Sequence, residues 1–137
     1  MSIYRTRGFT LIELMIVLAI IAILSIIVYP NYTRHVQRTR RADGHEMLMR
    51  IASAEERYYT TFNRYTTTLS DLGFGSGLSE SGYYVITVDQ GSTRDMRSYA
   101  LTAAPQGTQV ADACGDLTID SAGVKGQSGG ATNGSCW

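Results

Sequence analysis

The chain has 137 residues, 44% of them apolar and 18% charged. That is room for one ordinary domain and an appendage, and too apolar a composition for a disordered chain. Twelve basic and twelve acidic residues cancel, which argues against a general nucleic-acid binder, since that class carries a strong basic excess.

The average hides an asymmetry. Residues 9–29 read FTLIELMIVLAIIAILSIIVY, 21 residues with one charge, whereas the last 31 residues hold 7 of the 14 glycines. The pattern predicts an apolar rod joined to a polar, glycine-rich head. Both cysteines, Cys114 and Cys136, lie in the head. An even pair in a chain with an export-type segment suggests one disulfide and an oxidising compartment. The alternative is two unpaired buried thiols.

Two plain readings of residues 1–29 fall short. A secretory signal has a basic start, an apolar stretch of about 7–15 residues and a small-residue cleavage site. Arg5 and Arg7 supply the basic start, but the run is longer, and Ser25 to Pro30 offers no such site. A transmembrane helix needs about 20 apolar residues, and the run suffices. Neither reading explains Glu13. A carboxylate deep in a membrane helix costs about 2.5–3.5 kcal/mol even on the lenient insertion scale. Glu13 either lies near enough to the membrane edge to snorkel or pairs with a cation.

The residues around Glu13 carry a resemblance. Arg7-Gly8-Phe9-Thr10-Leu11-Ile12-Glu13-Leu14 is similar to the signature of type IV prepilins and the related type II secretion pseudopilins. The resemblance implies that residues 1–8 are a leader, that a prepilin peptidase cuts between Gly8 and Phe9, and that Phe9 becomes an N-methylated amino terminus. It also supplies a cation for Glu13: the Phe9 amine, of the same or a neighbouring subunit. A buried ion pair adds little net stability, but removing one partner costs about 3–5 kcal/mol. Glu13 and Phe9 are therefore expected to set assembly register. Loss of the leader leaves ten basic and twelve acidic side chains, a net charge of −2. One signal opposes this topology: Arg34, Arg38, Arg40 and Arg41 outnumber the basic residues of the leader, and the positive-inside rule would place them in the cytoplasm. The signature and the cysteine pair place them outside.

Pro30 lacks an N–H, so a helix kink is expected there. The helical period resumes beyond it. Met47, Ile51, Ala54 and Tyr58 recur at spacings of four, three and four, widened by Leu48, Tyr59 and Phe62. Arg50, Glu55, Glu56 and Arg57 are assigned to the outer surface. Gly44 costs about 1 kcal/mol relative to Ala; it loosens the junction or permits close packing. The predicted helix runs from about Phe9 to about Thr60, roughly 75–80 Å at 1.5 Å per residue, with 9–29 as transmembrane and filament-core helix and 30–60 as its amphipathic continuation. For the arginines at 34–41 three readings stand: a solvated face above anionic headgroups, salt bridges to neighbouring subunits, or DNA contact.

Residues 61–137 form the predicted head. Residues 60–82 are turn-rich. Three strands are predicted: Tyr83–Asp89, Tyr99–Ala104 and Asp116–Asp120. Short strands between turns suggest an antiparallel meander, and with the long helix an α+β fold. Trp137 follows Cys136 and either packs over the disulfide or meets a partner. Asp112, Asp116 and Asp120 lack the dense oxygen pattern of a calcium loop, and His35 and His45 lack supporting ligands. No metal or cofactor is expected. No catalytic constellation is present, so the chain is read as a non-enzyme.

Arg64-Tyr65-Thr66, Leu72-Gly73, Cys114-Gly115-Asp116-Leu117-Thr118-Ile119-Asp120 and Cys136-Trp137 resemble PilE-type minor pilins and the ComP group. The resemblance implies a type IV pilus subunit, expected to be a minor pilin. It would be anchored in the bacterial inner membrane with a periplasmic head, then lifted by an assembly platform into an extracellular pilus with other pilins. Adhesion, twitching motility and DNA uptake are the implied roles. The alternatives are a type II secretion pseudopilin, whose major forms usually lack a disulfide-closed tail, and a ComP-like DNA-uptake receptor. The head carries Arg64, Arg94, Arg97 and Lys125 against seven acids, a balance of −3. Any DNA contact is assigned to a local stripe of Arg94, Arg97 and Lys125, because phosphate binding needs basic side chains.

Overall fold

The computed structural model describes residues 8–91, 96–131 and 136–137. One helix, α1, spans Leu11–Phe62. Its start follows from Thr10, whose side-chain oxygen accepts the Glu13 N–H at 3.3 Å while its carbonyl accepts the Leu14 N–H. Those bonds occupy two of the donors that a helix start leaves open. The helix ends at Asn63, which takes a left-handed φ of 53° and returns its N–H to the Tyr59 carbonyl, a role asparagine tolerates better than most residues. The end lies two residues beyond the predicted Thr60.

The chain divides into two compact units, Met1–His35 and Val36–Trp137. In the first, every described side chain from Leu11 to Tyr29 is exposed. The helix assignment continues through position 30, and around it Ser25, Asn31 and Thr33 each donate a side-chain hydrogen bond to the carbonyl four residues earlier.

The second unit holds the rest of α1 and a four-stranded antiparallel sheet in sequential order: β1 Tyr84–Gln90, β2 Tyr99–Pro105, β3 Leu117–Asp120 and β4 Lys125–Gln127. This is the predicted α+β meander with one strand added. Registers pair Ile86 with Ala103, Leu101 with Ile119, and Ile119 with Lys125. Alternation buries Tyr84, Ile86 and Val88 of β1, Tyr99, Leu101 and Ala103 of β2, and Leu117 and Ile119 of β3. They meet Met47, Leu48, Ile51 and Ala52 of the helix in one core.

Gly44 serves close packing. A Cβ built on it would lie 2.9 Å from Cδ2 of the Tyr84 ring, so the helix approaches the sheet where no larger residue fits. Strand β4 escaped the sequence reading because Lys-Gly-Gln carries no β-branched or alternating pattern. What builds it is its turn: Asp120 Oδ1 accepts the N–H groups of Ala122 and Val124, and Gly123 takes φ 76°. Residues 69–72 and 107–111 form short 3-10 helices.

Candidate functional site

The first candidate site is the segment from Gly8 to Glu13. Gly8 has open space around it, and Phe9 is 86% exposed. Glu13 is exposed four residues beyond Phe9 on the first turns of α1, followed by the bare apolar run. The positions assigned to cleavage, methylation and register are thus accessible within this unit.

The second lies where the disulfide meets α1. Cys114 and Cys136 are joined, 5.7 Å apart at Cα, and both are about 1% exposed. This decides between the disulfide and the free-thiol readings. His45 on α1 contacts the Cys136 carbonyl through Nε2 at 2.8 Å and stacks on the Trp137 indole, centroids 4.6 Å apart and planes 15° apart. The indole N–H donates to the Gly126 carbonyl, and Lys125 Nζ stands 5.0 Å from the ring centre. Burial lowers the His45 pKa; the bond to the Cys136 carbonyl opposes this, and the Lys125 and Arg41 charges add to the lowering. His45 is therefore neutral at neutral pH. Trp137 is packed against the core that includes both cysteines and stacks on His45.

The arginine cluster separates into different tasks. Arg41 is buried and its Nε donates to Asp112 Oδ2 at 2.7 Å. Arg40 donates to the Thr108 hydroxyl and lies 4.5 Å over the Tyr83 ring. Both bind the head to its own helix, a use absent from the three readings offered for the cluster. Arg34 and Arg38 are exposed. Asp112 also accepts from Gln109 Nε2, which lies within 3.1 Å of the Tyr84 hydroxyl and the Gln37 carbonyl. Asp112 therefore serves an internal ion pair and Asp120 a turn. Among the described residues no cluster of His, Cys, Asp and Glu suits a metal ion.

Of the three residues assigned to DNA contact, Arg94 lies outside the described residues. Arg97 is exposed just before β2, and Lys125 lies on edge strand β4, two positions away in the sheet. Glu55 departs most from its sequence assignment. Placed on the outer surface by its charge, it is 0% exposed. The signal was its spacing: it follows Leu48 and Ile51 by seven and four residues, on the buried stripe.

Comparison with known proteins gives two family matches. Residues 30–118 match a family described as type IV minor pilin ComP, DNA uptake sequence receptor, and residues 3–29 match the prokaryotic N-terminal methylation motif. The chain is 32% identical over 120 residues to the type IV major pilin protein PilA of Myxococcus xanthus, covering 88% of this chain and 47% of that protein. It is 35% identical over 69 residues to the type II secretion system core protein G of Pectobacterium carotovorum, covering 50% and 44%. It thus spans about half the length of these curated relatives. A type IV pilin structure from Shewanella oneidensis superposes with a TM-score of 0.55 and 29% identity, covering 74% of this chain and 97% of that one.

Proposed function

The chain belongs to the type IV pilin family and carries a ComP-type minor pilin domain, and from that premise we propose that it is a minor structural subunit of a type IV pilus. Residues 1–8 are then the leader, 9–29 the membrane anchor and later filament core, 30–60 the amphipathic continuation and 61–137 the head. Prepilin peptidase cuts after Gly8, and Phe9 is methylated at its new amine. The head waits in the periplasm while the anchor lies in the inner membrane. The assembly platform then moves the subunit into a filament of pilins.

The observation that carries this reading is the apolar stretch from Leu11 to Tyr29, exposed on all sides and headed by the methylation motif. An uncovered surface of that size needs lipid or other helices against it. Exchanging lipid for protein yields little hydrophobic gain, so packing must supply the order. Pairing Glu13 with the Phe9 amine penalises any register that leaves either group alone. Pro30 removes one helical N–H, which allows a bend between anchor and head. Intact mass of the protein in sheared surface filaments tests the reading. The expected species starts at Phe9, about 14 Da heavier for one methyl group and about 2 Da lighter for the disulfide. A chain that keeps residues 1–8, or one confined to membranes, would refute pilus assembly.

A second reading, a DNA-uptake receptor within the pilus, is favoured by the family match over residues 30–118. Its contacts are assigned to Arg94, Arg97 and Lys125. Replacing all three by Ala is expected to abolish salt-dependent duplex binding, since each phosphate contact contributes to the salt slope. Absence of binding by the wild-type chain removes this reading and leaves the structural one intact. The pseudopilin alternative draws on a match to half of the chain, and the disulfide-closed tail favours the pilin.

A further inference from the structure

Glu55 is buried, titratable and unused by any role above. It lies on the core-facing stripe of α1 and is 0% exposed. Its Oε2 accepts the backbone N–H of Thr66 at 3.1 Å, while its Oε1 has no hydrogen-bond partner. Among the described residues it has no ion-pair partner. The groups facing it are acids and phenols: Glu56 beside it on α1, Tyr65 and Asp71 on the segment after the helix, and Tyr99 on β2. Tyr65 and Tyr99 both turn their hydroxyls to Glu56 Oε1, and Asp71 accepts the Thr66 hydroxyl. A carboxylate in that setting loses its water and gains no cation.

The segment it holds is also tied down by Tyr65, whose N–H donates to the Met96 carbonyl at 2.9 Å and whose ring packs on Tyr59 and Tyr99. Residues 63–68 contain no regular element, and Thr66 is the one buried residue among them. With Arg64, Asp71 and Met96, Thr66 lines a cleft of about 200 Å3. Water can reach Glu55 if the Thr66 segment lifts from α1.

We propose that Glu55 is a proton-operated latch: its neutral acid holds the segment around Thr66 closed on α1, and its ionisation favours opening. Burial, together with the charges of Glu56 and Asp71, raises the Glu55 pKa from 4.5 to about 7 against the opposing Thr66 bond. The closed state therefore holds the proton more tightly than the open one. Closure is firmest below pH 4.5, weakens as pH rises between 4.5 and 7, and stays weakened above that. Proton uptake thereby sets how firmly this wall of the cleft stands.

The test uses the full chain in detergent micelles, with hydrogen exchange at the Thr66 amide and the carbon shift of the Glu55 carboxyl followed from pH 4 to 8. After correction for intrinsic exchange, the opening constant is expected to rise by up to about tenfold per pH unit through the middle of the window, then level off. Glu55→Gln should flatten that profile with the segment still closed. Glu56→Gln should move the Glu55 midpoint down, toward the ordinary carboxylate range. A Glu55 midpoint near 4.5, or a flat wild-type profile, would overturn the latch. The carboxyl titration of the wild type decides the matter even if the Gln variant does not fold. The latch rests on the head alone, so its failure would leave the pilus reading untouched.

Discussion

Asp112→Ala is expected to lower the stability of the head by about 3–5 kcal/mol. The Asp112 side chain is 1% exposed and that of Arg41 10%, with 2.7 Å between Nε and Oδ2. The substitution takes from the buried Arg41 guanidinium its carboxylate at 2.7 Å and removes one acceptor of Gln109. The intact pair is worth far less than its removal costs, because assembling it desolvated both ions. The contrast makes the test specific: Arg41→Met with Asp112→Leu should recover most of the loss, since no charge is then left alone. Denaturant melts of the full chain in detergent for the wild type, both single variants and the double variant give the coupling directly. Additive losses would mean that the two residues act independently.

Opening the disulfide should have an effect of similar size. The bridge encloses 21 residues, for which the loop-entropy model gives about 3.4 kcal/mol. Six glycines lie inside, so the open loop has much freedom to regain. The damage should concentrate where Cys136 anchors its surroundings: its carbonyl on His45, and beside it the Trp137 ring on the imidazole. The chain has a single tryptophan, so its fluorescence isolates this corner. Cys114→Ser with Cys136→Ser should lower the melting midpoint and shift the Trp137 emission to the red before the rest of the sheet unfolds. If both signals keep their wild-type midpoint, the loop is held by other contacts. One such contact is the close pass of Gly129 over Cys114, where an added Cβ would collide with the Ala113 carbonyl.

The legible parts of this protein were those with a strong local signal. The apolar run and its Glu13 stood out by composition, and three strands were readable because alternation and β-branching mark buried faces. The structure places those strands within a residue or so of their predicted bounds. The disulfide followed from counting cysteines. What stayed hidden depends on partners distant in sequence. Arg41 and Asp112 are 71 residues apart, and an arginine in a basic cluster is ordinarily solvated, so nothing local marked it as buried. Gln109 is an uncharged residue in a short 3-10 turn, yet it is 0% exposed. Glu55 was misassigned because its charge was weighed above its position on the stripe. Strand β4 owes its existence to the turn before it and the β3 edge beside it, not to its own residues.

The sequential order of the four strands bears on how the head acquires its structure. Each strand pairs with the next one to emerge, so the sheet can grow by hairpins with short loops to close, the inexpensive kind of ordering. The links back to the helix close the longest loops: Arg40 to Thr108, Arg41 to Asp112, and His45 to Cys136 across 91 residues. The helix thus docks first on β1 and β2 through Asp43, Gly44, Leu48 and Ile51, and these late links are added to that contact. A head truncated before residue 112 could form its first hairpin but could not complete the ion pair, and one truncated before residue 136 could not form the bridge. The C-terminal corner therefore closes late: its bridge and the His45 contact form only once residue 136 has been made and oxidised.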